Sequence, residues 1–360
     1  MSKRHRLFLY LFSIGALAHP ALVHAEPVCA SYKTSEPIEL ADELEEVSGM
    51  ALSRMNPNYF WAHTDSGGES ALYVLTEKGE LKGKIDIVGS LNTDWEDIAV
   101  GPCEKGSEES CIYIGDMGDN LTKRTDKKVY IVKEPRLPDV ITPESMAALG
   151  DVVVWKTLHV KYPASKEASY YSNPDSESLM VSPKGEIFVV SKQSEGGRQT
   201  LYRMHRDGKR AGELEALSSY LFTSQLGNLK VLFNAVTAAD FAPDGKRFIV
   251  RTYAAVYEYD LDKYPDMAEC FQHPRVVVDV IGELQGESAA YMADGKSIAT
   301  SAEKYHKLEN LKPLMHTHLC QDTPAPADKI DADAKYKLAS GLRRVLESVA
   351  TRSSTTATTE

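Results

Sequence analysis

Several things missing from this 360-residue chain narrow its function. No Cys-x-x-Cys pair occurs, so the cysteine spacing does not fit a zinc site. No Walker loop or dinucleotide fingerprint follows a strand, which removes the common phosphate-cradling sites. Beyond the N-terminus, no apolar run approaches the length of a membrane span. Positive charge is also short: 41 Lys and Arg stand against 52 Asp and Glu, a formal net charge of −11. Such a surface repels phosphate backbones and excludes nucleic acid as a partner, while it suits cations and cationic ligands.

Residues 1–25 differ from the rest. Lys3, Arg4 and Arg6 precede an apolar run from Leu7 to Leu17, and Val23-His24-Ala25 offers small residues for cleavage. This reads as a secretory signal cut after Ala25, which sends a chain with no membrane span to the periplasm or the medium. Its removal takes away those three cations and no acid, moving the formal charge from −11 to −14. An exported chain keeps disulfides, and the five cysteines are read that way. Cys103 and Cys111 bracket a short polar loop and close a staple of about 2–3 kcal/mol. Cys270 with Cys320, or Cys29 with either, makes a second bridge and leaves one thiol over.

What the chain does contain is a repeat. Val47–Ala51, Tyr59–Asp65, Ala71–Leu75 and Gly83–Val88 are four strand-like runs separated by turn residues, an antiparallel meander. The order recurs from Glu96 with Cys111–Asp116, Lys128–Val132 and Val152–Trp155, and new units start at Glu177, Ala239 and Glu287. In these last three units the first strand ends in similar turns: Ser182-Pro183-Lys184-Gly185, Ala242-Pro243-Asp244-Gly245 and Met292-Ala293-Asp294-Gly295.

The anchors Met50, Ile98, Leu179, Phe241 and Ala289 therefore mark an all-β propeller of five four-stranded blades, or six if an insertion hides one. The second blade's insertion holds a short helix near Thr142 to Leu149, and the third blade's insertion is placed at Leu214 to Leu226. The segment Pro37–Leu40 pairs with Leu314 to Cys320 to close the ring and remove open edges. Domain limits follow: signal 1–25, propeller 26–322, then a linker, an amphipathic helix (Leu338, Leu342, Val345, Leu346, Val349) and a Thr/Ser tail over 323–360.

Four motifs, Asp94-Trp95-Glu96-Asp97-Ile98-Ala99, Gly115-Asp116-Met117-Gly118-Asp119-Asn120, Asp175-Ser176-Glu177-Ser178-Leu179 and Gly286-Glu287-Ser288-Ala289-Ala290, resemble those of exported bacterial propellers of the TolB-like and phytase-like group. The resemblance covers about residues 45–305. It implies a propeller outside the cytoplasm, some of whose relatives carry esterase-like or phytase-like labels.

Aligning the repeats places Glu96, Glu177 and Glu287 at one position of the innermost strands, with Ser48 and Ala239 (Asp240 adjacent) in blades one and four. Equivalent positions on innermost strands ring the central channel. Three carboxylates there raise one another's pKa or need neutralising. The second strands end in Asp65, Asp116, Lys192, Arg251 and Glu303, of which Lys192 and Arg251 supply positive charge. The candidate ligand-binding set is Asp65, Glu96, Asp97, Asp116, Glu177, Lys192, Arg251, Glu287 and Glu303. Calcium, bound through oxygen alone by Glu96, Asp116, Glu177 and Glu287, is the cofactor this set suits.

The bland alternative is that acids at blade starts bond neighbouring backbone N–H groups and hold blades together. Thr64-Asp65-Ser66-Gly67-Gly68 is a turn, since no base or orienting acid accompanies the serine. His316 and His318 share a strand face without a third nitrogen or sulfur ligand in view. The leading expectation is a monomeric propeller whose acidic mouth binds a cation or small polar ligand, or serves as a scaffold. A calcium-assisted phosphoesterase or esterase is the second expectation, with Asp65, Glu96, Asp97, Asp116 and Glu287 as ligands or base and Lys192 and Arg251 gripping an anion. Binding of an extracytoplasmic protein is the third.

Overall fold

The repeated turns act as read. Gly185, Gly245 and Gly295 take φ of 82°, 68° and 65°, and each amide bonds the carbonyl three residues back at 2.8 Å. Only glycine adopts that left-handed backbone without strain, so each innermost strand of blades three to five is forced to double back. The computed structural model describes residues 28–164, 174–193, 197–223, 234–283, 285–304 and 312–323. The N-terminal signal pattern and the tail from residue 324, with its helical pattern, lie outside the described residues.

Two short strands lead in, β1 (Ser31–Thr34) and β2 (Ile38–Glu39). Blade one then holds β3 (Val47–Leu52), β4 (Tyr59–Thr64), β5 (Ala71–Thr76) and β6 (Leu81–Val88). Blade two holds β7 (Trp95–Pro102), β8 (Ser110–Asp116), β9 (Lys128–Lys133) and β10 (Val152–His159). Blade three is β11 (Leu179–Val181), β12 (Ile187–Val190), β13 (Gln199–Met204) and β14 (Leu214–Tyr220). Blade four is β15 (Val236–Phe241), β16 (Arg247–Thr252), β17 (Ala255–Asp260) and β18 (Arg275–Asp279). Blade five is β19 (Gly286–Tyr291), β20 (Ile298–Ala302) and β21 (Leu314–Gln321).

All pairings within the blades are antiparallel. Blades one and two are further joined by a short parallel pairing of their outer strands, Val152 to Ile87 and Val153 to Val88. The segment Leu214–Tyr220, expected as an insertion, is instead the outer strand of blade three. Its apolar alternation is broken because a bulge leaves Leu217 unpaired between Ala216, opposite Tyr202, and Ser218, opposite Leu201.

The ring closes as the sequence suggested, and more extensively. Ile38 and Glu39 pair with Met315 and Leu314, and β1 continues along the same edge from Ser31 opposite Gln321 to Thr34 opposite His318. The Cys29–Cys320 disulfide fastens this seam, Cys103–Cys111 staples blade two, and Cys270 is the free thiol, buried.

Burial explains the order of strands. The innermost strands β3, β7, β11, β15 and β19 are buried almost throughout, whereas the outer strands β6 and β10 alternate between inward and exposed side chains. The apolar core is five wedges, one between each pair of neighbouring blades. Between blades one and two, for example, Trp61 and Ile85 meet Trp95, Ile98 and Tyr130. The short helix α1 (Pro143–Leu149) sits between β9 and β10, where it was expected. Thr142 and Ser145 form its capping box, Pro143 opens it, and Met146 packs over Gly83 of β6. A second short helix, α2 (Met267–Cys270), lies between β17 and β18.

Candidate functional site

The geometry of the mouth begins with a backbone irregularity present in every blade. In blade two the ladder pairs Trp95 with Asp116 and then Asp97 with Gly115, so Glu96 is one residue too many. In blade five the same step leaves out Glu287, and in blade four Thr237. In blade one Val47 to Met50 spans three steps against two from Thr64 to Ala62. In blade three Asp175 to Leu179 spans four against three from Lys192 to Val189. Each is a β-bulge, which unpairs the extra residue and re-aims its side chain. The blade-four counterpart of Glu96 and Glu287 is therefore Thr237, not Ala239 as the repeat alignment expected. A bulge shifts the register by one residue, and apolar periodicity does not record the shift.

Just past the bulge, side chains stitch the innermost strands together. Asp97 Oδ1 accepts from the N–H of Ile98 at 2.9 Å, and its Oδ2 accepts from Leu179 at 2.7 Å and Ala239 at 3.2 Å. One carboxylate thus ties β7, β11 and β15. Ser48 donates to the Glu96 carbonyl at 2.6 Å, Thr237 to the Gly286 carbonyl at 2.8 Å, and Asp240 accepts from the Tyr291 N–H at 2.9 Å. These residues play the backbone-holding role, and Asp97 among the candidate ligands belongs with them.

Glu96, Glu177 and Glu287 converge with the ends of the second strands. Ligand oxygens of Asp65, Asp94 and Glu96 lie within 4.8 Å of one another, and so do those of Glu96, Asp175 and Glu177. Glu96 belongs to both groups. Lys192 pairs with Glu177 Oε1 and stands 3.3 Å from the Tyr253 hydroxyl, which donates to Glu287 Oε1 at 2.8 Å. Glu177 Oε2 and Glu287 Oε2 are buried and have no hydrogen-bond partner among the described residues. Glu303 joins through Gln285, whose amide donates to its Oε2 at 3.1 Å.

Electrostatics follow from crowding of like charge in a dry place. Burial, then Glu177 and Asp65, push the Glu96 carboxyl well above its ordinary range, and burial likewise raises Glu177 against the pull of Lys192. Glu303 is pushed up to about 9 by burial and by Glu287 and Asp65, and Asp65 to about 6, chiefly by burial. Burial pulls the Lys192 ammonium down, but Glu177, Tyr253, Glu287 and Glu96 outweigh it and hold it firmly protonated. The mouth therefore retains protons unless another cation replaces them.

Other sequence candidates sit differently. Asp116 is fully buried: its Oδ1 accepts from the Asp94 N–H at 3.1 Å and pairs with Arg124 at 2.8 Å, while Oδ2 has no hydrogen-bond partner among the described residues. Among the described residues Arg251 pairs with none of Glu96, Glu177 and Glu287. It lies 2.8 Å from Glu283 and donates to the carbonyls of Ser288 and Ser301 at 2.8 and 3.0 Å. The same Glu283 stands 3.3 Å from His316 and 3.7 Å from His318, and the nitrogens of His318 face the hydroxyls of Thr34 and Thr300, both at 2.9 Å. His63 is bonded to backbone, to the Thr64 carbonyl at 3.1 Å.

Sequence reasoning passed over Asp94, Asp175 and Tyr253. A signal for the first two is present: Asp94-Trp95-Glu96 and Asp175-Ser176-Glu177 share one Asp-x-Glu spacing. Gly118 completes the wall, since a Cβ there would overlap Glu96 Oε1 and stand 2.6 Å from Asp94 Oδ2.

No family model matches the chain. No curated protein matches it either. Among solved structures it is similar to the PQQ-bound aldose sugar dehydrogenase of Streptomyces coelicolor, at 10% identity and TM-score 0.43, over 80% of this chain and 98% of that one. It is also similar to the WD40 repeats of RRP9, at 9% identity and TM-score 0.37, over 76% of this chain and 67% of that one. The propeller assignment rests on the five blades and their closure described above.

Proposed function

We propose that this chain is an exported cation-binding propeller whose acidic mouth holds a divalent ion, calcium by its all-oxygen donor set. The observation that carries this reading is the pair of carboxylate groups sharing Glu96, in a mouth where Glu177 Oε2 and Glu287 Oε2 are buried without partners. Buried acceptors left unpaired are costly, and an ion that accepts their lone pairs removes that cost. The residues that would hold it are Asp65, Asp94, Glu96, Asp175 and Glu177, with Glu287 and Glu303 adding negative field. Asp116 stands behind this shell, tied to Asp94 and Arg124.

Two disulfides support an oxidising compartment. No helix among the described residues is long and apolar enough to cross a membrane. Calcium titration of chelator-stripped protein, read by calorimetry and by melting temperature, tests the proposal. Saturable heat and a raised melting temperature, both lost in Glu96→Gln, are expected. An unchanged melting temperature in calcium and in chelator would overturn it.

A further inference from the structure

The ring closes on a histidine. His318 of β21 is 1% exposed and stands in the pairing between β1 and β20, opposite Thr34 on one side and Ile298 on the other. Its Nδ1 lies 2.9 Å from the Thr34 hydroxyl, and its Nε2 lies 2.9 Å from the Thr300 hydroxyl. The direction of each bond follows from the next one along. Thr300 commits its only hydroxyl proton to Glu283 Oε1, at 2.9 Å, so towards His318 it can only accept. Nε2 therefore carries the ring proton, Nδ1 presents a lone pair, and Thr34 donates to it. The result is one polarised line, from Thr34 through His318 and Thr300 to Glu283, and it ends on the Arg251 guanidinium 2.8 Å beyond.

We propose that His318 is an acid-sensitive latch on the ring: as the neutral Nε2–H tautomer it fastens β1 to blade five, and a second proton, on Nδ1, unfastens that strand. With Nδ1 turned into a donor, Thr34 can no longer donate to it, and the seam loses that bond. The new charge is also badly placed. Among the described residues, the charged and titratable groups acting on the ring are Glu283 from the turn after β18, Arg251 from β16 and His316 of β21 itself. The strands β1 and β20 present hydroxyls to it, from Thr34 and Thr300. Glu283 attracts an imidazolium, but it is already paired with Arg251 and stands 3.3 Å from His316 Nδ1. Burial, with Arg251 and His316, outweighs that attraction and pushes His318 down from 6.5 to about 4. A base lowered in this way favours the closed seam fully above about 6.5, and its contribution is lost as pH falls from there towards 4. The Cys29–Cys320 disulfide keeps the loosened strand attached, so the opening is local.

Nitrogen-15 spectra of the full chain read the ring directly. Nε2 protonated and Nδ1 bare at pH 7.5, with titration well below the ordinary histidine value, is the expected result. A proton on Nδ1 instead of Nε2, or titration at the ordinary value, would overturn the latch.

Hydrogen exchange read by mass spectrometry, corrected for the pH dependence of intrinsic exchange, then compares the peptide holding β1 with that holding β14. Protection of β1 falls at least about tenfold between pH 7.5 and pH 5, while that of β14 holds. His318→Gln, which keeps a donor for Thr300 but has no proton to gain, removes this pH dependence. Unchanged protection of β1 in the wild type, or an equal fall in His318→Gln, would end the proposal. Should His318→Gln fail to fold, the wild-type ring spectra and exchange profile decide on their own.

Discussion

At the scale of single residues, the mouth is a competition between protons and metal. Glu303 has its folded pKa raised to about 9 and Asp65 to about 6. Each therefore binds a proton more tightly in the folded protein than in the unfolded chain. Their contribution favours the fold at low pH and fades as pH rises through those values. Calcium must displace the same protons. The rise in melting temperature produced by saturating calcium is accordingly expected to be larger at pH 8 than at pH 5.5, and binding at pH 8 should release protons. Calorimetry in two buffers of different ionisation heat measures that release.

A second expectation concerns a residue that ligates nothing. Gly118→Ala places a methyl group where Glu96 and Asp94 now lie. It should weaken calcium binding at least about tenfold, a change of about 1.4 kcal/mol, with every carboxylate intact. The glutamates were legible in the sequence because they repeat at blade starts. Tyr253 and Glu283 were not, since their partners are brought to them only by neighbouring blades.

At the scale of elements, the bulge is the device that matters. It turns a side chain out of the pleat at the same step of each innermost strand, and Asp97, one residue beyond, ties β7 to β11 and β15. Asp97→Ala leaves the buried N–H groups of Leu179 and Ala239 without acceptors and should lower stability by about 3 kcal/mol. Asp97→Asn, which retains an acceptor oxygen, should lose clearly less. Urea unfolding of both variants compares them.

Strands bounded by Gly and Pro turns were readable in advance. Leu214–Tyr220 was not, because the bulge at Leu217 breaks its alternation even though Gly208 and Gly212 turn the chain before it. Nor was the place of Thr237, because a bulge alters register without altering composition. The fold class was therefore carried by punctuation, and the aim of each side chain by irregularities that punctuation does not encode.

At the scale of the whole molecule, the two disulfides close loops of very different length. Cys29 and Cys320 are 291 residues apart, Cys103 and Cys111 only 8. On chain-entropy grounds the Cys29→Ser, Cys320→Ser pair should cost about 5–6 kcal/mol and the Cys103→Ser, Cys111→Ser pair about 2–3 kcal/mol. Denaturant midpoints of the two double variants under oxidising conditions test the order. Comparable losses from both would mean that the long bridge does not restrain the unfolded chain.

The seam has a consequence for biosynthesis. Blade five takes its last two strands from opposite ends of the described chain, β1 from residue 31 and β21 as far as residue 321. A ribosome delivers β1 long before its partner exists. Four blades can assemble as they emerge, yet the ring stays open until β21 is made, and through all that time β1 is an unpaired edge. Any emergence that begins at the N-terminus leaves β1 waiting in this way, so the seam is the last pairing that can form.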